Sequence, residues 1–514
     1  MISLQKDFLH GNRVGIFLRL ALGAGLVWQI SQYIAAGNFK NVFLLAAGAA
    51  VLVVIGMILG DWRRGIYFFL VWLLFEDLIR KYLGNNMAIY FGKDVLVGVI
   101  YLSLLITRER DTEPFRPPFK YALSLFFLLG LVQVLNPYSP SMLYGLLGMK
   151  LYFYYIPLMF VGYALMRTEE DLHRFLIVNL GLGVVIALVG LIQTFFGQDI
   201  LNPHGSADIE SLGHLVRETH NGLHVPEPPS VFVSCGRFGS YMLLIFVLGL
   251  GTAGYLLLRR KSGRTIAFSA VVLAGVAGMM IGSRGAFVTI GGTFTILSAG
   301  MLWGAPQSSD SYRLFKAIRR SFVLIALALG VTVTLFPQQI GARLTFYQET
   351  LLPWSPDYEV EARIGSYPIG NFLGAFSQVN WMIGDGTGTA SLGGQYVTRI
   401  LGAEPTDVGV ESGWGALVLE FGILGLLFWL AWTMSLIVAA AKVVLRLRGT
   451  WAFPIALGIL WFSFLLLFPF TYGGMAAYQN FIFNAYFWLL VGVLFRLPAL
   501  LSQDLALAEP LDGR

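Results

Sequence analysis

The stretch GWGALVLEFGILGLLFWLAWTMSLIVAA, residues 413–440, carries a single ionisable side chain, Glu420, in 28 residues. A helix needs about 20 predominantly apolar residues to cross the ~30 Å hydrocarbon core of a bilayer, so this stretch reads as a membrane-spanning helix. The sequence that leads into it is of another kind. Residues 337–412 are polar and contain Arg363, the run Gly384-Asp385-Gly386-Thr387-Gly388-Thr389 and, at the re-entry, Glu411-Ser412-Gly413-Trp414. A chain of spans with one sizeable loop outside the membrane is expected to do its chemistry where that loop meets the spans.

Working outward, further apolar segments lie near 14–34, 41–60, 65–79, 88–107, 121–136, 150–166, 174–197, 237–258, 265–282, 286–304, 321–337, 452–471 and 479–496. The segment at 65–79 is the weakest, because Glu76 and Asp77 interrupt its end. The chain is 56% hydrophobic and 12% charged, about half the charged fraction of an ordinary soluble domain. The expected fold is an all-α polytopic integral membrane protein with about 14 transmembrane helices and one large periplasmic loop. The expected organisation is 1–336 as spans with a smaller loop at 198–236, 337–412 as the large loop, 413–496 as the last spans and 497–514 as a polar tail. A barrel would need ~10-residue alternating strands, which the sequence lacks. The first apolar segment is long enough to stay as a span, and nothing resembles a cleavable signal.

The formal charge of +6 is no nucleic-acid signal, since Lys and Arg cluster in short loops between spans. Asp61-Trp62-Arg63-Arg64, Arg108-Glu109-Arg110, Arg259-Arg260-Lys261, Arg313 to Arg320 and Lys442 to Arg448 fall on one side of the membrane. The excess of positive charge in cytoplasmic loops makes that side cytoplasmic, with both termini. The 337–410 loop then lies on the other side; it has no lysine, and its three arginines (Arg343, Arg363, Arg399) are outnumbered by acidic residues. One cysteine, Cys235, leaves the redox compartment open. No internal repeat of the kind that marks many secondary transporters is present.

Several residues could carry chemistry. Arg284, in Ser283-Arg284-Gly285, sits between two apolar segments with hardly any loop. It reads either as an interfacial anchor or as an anion-binding arginine, whose guanidinium forks suit phosphate. Arg363 is either paired with a neighbouring glutamate or turned to the same anion. Arg237 opens the span after the 198–236 loop, and Arg217 lies earlier in that loop. Several arginines converging on one face point to a phosphate-bearing lipid substrate. The run Gly384 to Gly388 is either a flexible turn or a nest of amides for an anion, Gly386 at its centre. Glu411 sits at the water boundary, either as a carboxylate favoured by the helix dipole or as a base for an acceptor hydroxyl. Glu420 lies about two and a half turns deeper and reads as structural or paired. Lys93, Asp94, Glu76 and Asp77 are ionisable groups near or within spans, which raises a transport pathway as the competing class. The histidines (His10, His173, His204, His214, His220, His224) show no zinc spacing, so no metal and no cofactor is expected.

Taken in order, these motifs resemble those of the O-antigen ligase and polymerase superfamily of bacterial envelope glycosyltransferases. Gly92-Lys93-Asp94-Val95-Leu96 resembles the family's Lys-Asp opening of an early span, and Gly145 to Lys150 with Tyr152 to Pro157 its following segment. Ser283-Arg284-Gly285-Ala286 is similar to the Ser-Arg-Gly motif, and Arg363 with Gly374 to the polymerase spacing of arginine, ten residues and glycine. Gly384 to Gly388 resembles the glycine cluster, and Glu420-Phe421-Gly422-Ile423-Leu424-Gly425 the Glu-x-Gly-x-x-Gly start of the next span.

The resemblance implies a glycosyltransferase C-like fold in the bacterial inner membrane, active at the periplasmic face. It implies a glycan carried on undecaprenyl diphosphate as donor, an acceptor glycan, and metal-independent transfer in which arginines neutralise the leaving diphosphate. On this reading Glu411, Arg284 and Arg363 are catalytic, while Arg237, Arg284, Arg363 and Gly386 hold the diphosphate. A chain-length regulator is a candidate partner, with the lipid bilayer itself. Ligases of the family carry His-Asn nine residues before the Glu-x-Gly glutamate; here that position holds Glu411-Ser412. The departure favours a polymerase of O-antigen, capsule or exopolysaccharide over a ligase. An anion or lipid-linked sugar transporter is the alternative of another class.

Overall fold

A computed structural model describes residues 39–83, 87–107, 115–203, 216–218, 224–355, 367–390, 412–468 and 474–508, with single positions besides (25, 28, 31, 32, 222, 358, 360, 361, 394 and 397). The helices are α1 (Phe39–Gly60), α2 (Trp62–Tyr82), α3 (Met87–Ile106), α4 (Lys120–Val134), α5 (Met142–Phe153), α6 (Leu158–Leu165) and α7 (Glu169–Phe196). After a two-stranded ribbon, β1 (Val216–Glu218) and β2 (His224–Pro226), come α8 (Cys235–Arg259), α9 (Arg264–Met280), α10 (Arg284–Trp303), α11 (Ser308–Leu335), α12 (Pro337–Leu351) and α13 (Tyr367–Ala375). The chain ends in α14 (Gly413–Arg446), α15 (Phe453–Leu467), α16 (Gly474–Gln479) and α17 (Phe481–Ala508).

Among the described residues eight stretches are long and apolar enough to cross a membrane: Ile89–Ile106, Met142–Leu165, Glu169–Phe196, Cys235–Arg259, Arg284–Trp303, Ser308–Leu335, Gly413–Arg446 and Phe481–Asp504. Gly48–Gly60, Lys120–Val134, Arg264–Met280 and Phe453–Leu467 are shorter apolar helices. This is an all-α multi-pass membrane protein. Helices with internally satisfied backbone are one of two structures that survive in hydrocarbon. The expected segment 14–34 lies almost wholly outside the described residues.

The chain divides into two compact bodies. In the first, α1 is joined by α2 as far as Phe69 and by α3 from Asp94 onward, and the Ser103 hydroxyl donates to the Ile58 carbonyl at 3.0 Å. The second body holds the rest. There α8 is buried along most of its length, packed by α7, α9, α10 and α15. Around it α14 packs on α4, α13 and α15, and α17 on α6 and α15. One expected span, 150–166, is divided: α5 starts earlier, at Met142, and the helix breaks at residues 154–157. Pro157 is the cause, since its ring has no N–H and blocks the carbonyl four residues back. Leu158, Met159 and Phe160 instead donate to carbonyls three residues earlier.

Four of the spans, α7, α8, α10 and α14, start at a serine or threonine whose side chain caps them. Thr168 and Asp171 form a reciprocal capping box before α7. Ser234 accepts from the Arg237 amide at 3.3 Å, Ser283 from Ala286 at 3.4 Å and Ser412 from Gly415 at 3.1 Å. Each cap satisfies one orphan amide of the first turn. Arg237 and Arg284 lie in the first turns of α8 and α10, and Glu411 immediately precedes the α14 cap. At the other end of α8, Arg259 bonds Glu169 (3.1 Å) and Asp504 (2.6 Å), and the Trp451 indole donates to Asp504 at 3.2 Å.

Candidate functional site

The charges that interrupt α2 are not scattered. Glu76, Asp77 and Arg80 are buried, with relative exposures of 0%, 1% and 5%, and Lys93 of α3 is at 0%. The Lys93 ammonium bonds Glu76 at 2.9 Å and also donates to the Tyr90 carbonyl. Arg237, from the mouth of α8, pairs with Asp77 at 2.7 Å, and Arg80 approaches the same carboxylate at 3.5 Å. Lys81 donates to the Asn202 side chain at 2.7 Å and to the Ser230 carbonyl at 3.2 Å, which ties the 198–236 loop to the end of α2.

Two rings gather these cations. The Tyr90 ring has Lys93 at 3.4 Å, Lys150 of α5 at 4.2 Å and Arg80 at 5.3 Å from its centroid. The Phe481 ring, at the start of α17, has Lys93 at 4.2 Å and Arg237 at 5.0 Å. Within this group five cations (Arg80, Lys81, Lys93, Lys150, Arg237) face two carboxylates, Glu76 and Asp77. Cations still outnumber carboxylates if Asp94, next to Lys93 in the chain, is counted. Aromatic faces attract cations by roughly 1–2 kcal/mol when desolvated, but buried like charges repel strongly in a medium of low dielectric. An anion is the species such a site favours.

The glycine-rich run lies against a break in α14. At Gly422 the helix leaves helical geometry (φ 70°, ψ −171°), a region open essentially to glycine alone. The break frees the carbonyls of Leu419 and Glu420, which accept from the amides of Asp385 (2.6 Å) and Gly386 (3.1 Å). From α4, Gln133 donates to the Ile383 carbonyl at 2.6 Å and Asn136 to the Gly384 carbonyl at 2.8 Å. The Thr387 hydroxyl bonds the Gly130 carbonyl at 2.9 Å. On the α5 side a Cβ on Gly148 would lie 2.6 Å from the Gly388 backbone, so two glycine motifs meet backbone to backbone. Gly386 therefore packs; a direct amide contact to an anion would require its bond to Glu420 to open. Glu420 is fully buried, accepts from the Ala390 amide at 3.1 Å and bonds the Tyr152 hydroxyl. Gln479 donates to the same hydroxyl at 2.9 Å. The carboxylate thus fixes the root of the 391–411 segment. The cation group and this break share α5 (Lys150, Tyr152) and the 479–481 turn.

Arg284 touches another ring, its guanidinium 5.4 Å from the centroid of Phe346 in α12. What places α12 there is Arg343, which composition alone does not distinguish from any other loop arginine. It is 1% exposed and donates to the carbonyls of Met280 (2.8 Å), Gln339 (2.8 Å) and Pro226 (2.7 Å). Tyr347 donates to the Met279 carbonyl at 2.8 Å. The Met279 and Met280 carbonyls are orphans at the C-terminal end of α9, where cations are favoured. Burial pushes the Arg343 guanidinium down to about 10, so it remains charged at neutral pH. Replacing Arg343 with methionine keeps the stem but removes the donor to the Met280 and Pro226 carbonyls, at an expected cost of about 2 kcal/mol or more. Thermal melting should fall, with new protease cleavage within α12; an unchanged melt and digest would refute this.

Arg363 and Glu411 lie outside the described residues, as do His10, His204, His214 and His220. Arg217 sits in β1, its backbone opposite Val225. Among the described residues no group of His, Cys, Asp and Glu could hold a metal ion. The sequence singled out Glu76 and Asp77 as ionisable groups near spans, and Lys93 both as such a group and within Gly92 to Leu96, and it missed Arg80, Tyr90 and Phe481; the available signal was charge inside apolar segments on either side of a short turn. No protein-family model matches the chain, and no curated protein matches its sequence.

Proposed function

We propose that the protein is a glycosyltransferase of the bacterial inner membrane that joins glycan repeat units carried on undecaprenyl diphosphate, making an O-antigen, capsule or exopolysaccharide at the periplasmic face. About fourteen spans, a glycosyltransferase C-like arrangement and cytoplasmic termini belong to this reading. The observation that carries it is the excess of cations over carboxylates, part of it buried, around Tyr90 and Phe481. A diphosphate at the membrane boundary would relieve that excess as a leaving group. In the reaction an acceptor hydroxyl oxygen bonds to the anomeric carbon of the donor sugar, and the bond from that carbon to the diphosphate oxygen breaks. The diphosphate keeps the electron pair, stabilised by Lys93, Arg237, Arg284 and Arg363; the hydroxyl proton passes to Glu411. Fixed charge aimed at a developing anion is usually a large catalytic contribution.

The test is a strain lacking the gene, with envelope and secreted polysaccharide compared on gels. Loss of long chains, with a single repeat unit still on lipid A-core, is expected. Loss of all attached glycan, with long lipid-linked chains accumulating, would replace polymerase with ligase. Unchanged surface glycans would overturn both and turn attention to transport. Complementation with Arg284→Lys should restore little polymer, because the bidentate fork is lost; wild-type polymer would remove Arg284 from the site.

A further inference from the structure

We infer that the first four turns of α11 form a binding site for the headgroups of anionic phospholipids. At ~1.5 Å per residue, the 28 residues of α11 span about 42 Å, longer than the ~30 Å hydrocarbon core. Its charges are confined to one end. Asp310, Arg313, Lys316, Arg319 and Arg320 all precede Ser321, and Ser321 to Leu335 carries none. The apolar part fixes the basic end at headgroup depth, whichever leaflet that is.

The side chains divide by face. Leu314, Ser321 and Ile325 are the buried residues and lie on one side of the helix, toward α9 and α10. At ~100° per residue, Arg313, Lys316, Arg319 and Arg320 cover an arc of about 120° turned away from that side. Phe315 and Phe322, exposed at 50% and 60%, fill the adjoining arc, and Tyr312, exposed at 68%, lies within the cation arc. Only Arg313 has a carboxylate near it, Asp310 at 3.4 Å; among the described residues Lys316, Arg319 and Arg320 make no ion pair or hydrogen bond. A helix that presents cations beside aromatic rings at the headgroup level matches a phosphodiester in charge and in depth: the rings take the interface and the cations the phosphate.

The experiment uses the full-length protein in nanodiscs of phosphatidylglycerol or phosphatidylcholine, with amide hydrogen exchange read over residues 308–320. Slower exchange in phosphatidylglycerol is expected, and ~1 M salt should erase the difference by screening. Equal exchange in the two lipids would overturn the inference. Protection that appears only with a co-purifying acidic protein would also overturn it. Native mass spectrometry gives the second arm. The variant with Arg313, Lys316, Arg319 and Arg320 all changed to glutamine should lose its preference for retained phosphatidylglycerol by at least ~10-fold, since each basic residue near a charged surface adds to the attraction. The variant Arg313→Lys, Arg319→Lys, Arg320→Lys should keep it. Retention by the neutralised protein would refute the site. The exchange measurement on the wild type stands even if that variant fails to insert.

Discussion

Changing Lys93 to methionine will abolish the polymer formation proposed above and destabilise the protein, and the two effects will separate in a double variant. Lys93 and Glu76 are both fully buried and 2.9 Å apart. Removing one partner of such a pair leaves an uncompensated charge in the interior, which costs about 3–5 kcal/mol. The single variant should therefore melt well below the wild type, and lost activity alone would say nothing about chemistry. Adding Glu76→Gln removes the orphaned charge, so most of the stability should return. If Lys93 serves only to hold α2 against α3, activity returns with it. If its ammonium neutralises the leaving diphosphate, the double variant folds but turns over roughly 10²-fold or more slowly, the usual scale for losing one stabilising donor. Thermal melting together with polymer synthesis from purified lipid-linked substrate reads both. A stable double variant with wild-type turnover would remove Lys93 from the proposed diphosphate site.

The fold was legible wherever a single physical requirement governs sequence. Roughly twenty apolar residues in a row mean helix in a membrane; α8 and α14 contain the segments expected for them, and α7, α10 and α11 end within a residue or two of theirs. Helix ends were legible less often: the serine before α10 marks its start, but Pro157 cuts an apparent span without any drop in hydrophobicity. The site was legible only in part, because its logic is pairwise and distant in the chain. Glu76 and Lys93 stand out as charges in apolar surroundings, yet nothing local pairs them or brings Lys150 and Arg237 to the same rings. Arg343 and Arg363 belong to the same polar stretch. Arg343 is an internal brace under the α9–α10 turn, a role that depends on carbonyls some 60 and 120 residues away in the chain. The glycines of 384–388 announced unusual backbone, but a turn, a nest and a docking strip share one composition. What decides among them is the partner surface at Gly422.

That partner surface can be tested directly with Gly422→Ala. At φ 70° and ψ −171° the backbone lies where a side chain is strained by about 1–3 kcal/mol. The added Cβ would also sit 2.2 Å from the Met382 carbonyl oxygen, far inside contact. The helix has one way out, which is to straighten. Alanine favours helix over glycine by roughly 1 kcal/mol, and a continuous α14 would take the Leu419 and Glu420 carbonyls back into its own ladder. The amides of Asp385 and Gly386 would then lose their acceptors, and Glu420 would rotate away from the Ala390 amide it now holds. Hydrogen exchange should therefore move in opposite directions: slower at residues 423–424, faster across 384–390. Activity should fall even though no proposed diphosphate-binding side chain is touched, because the root of the segment that carries Glu411 is released. Unchanged exchange across 384–390 would mean that the glycine run is held by α4 and α5 alone and that the break in α14 serves another purpose.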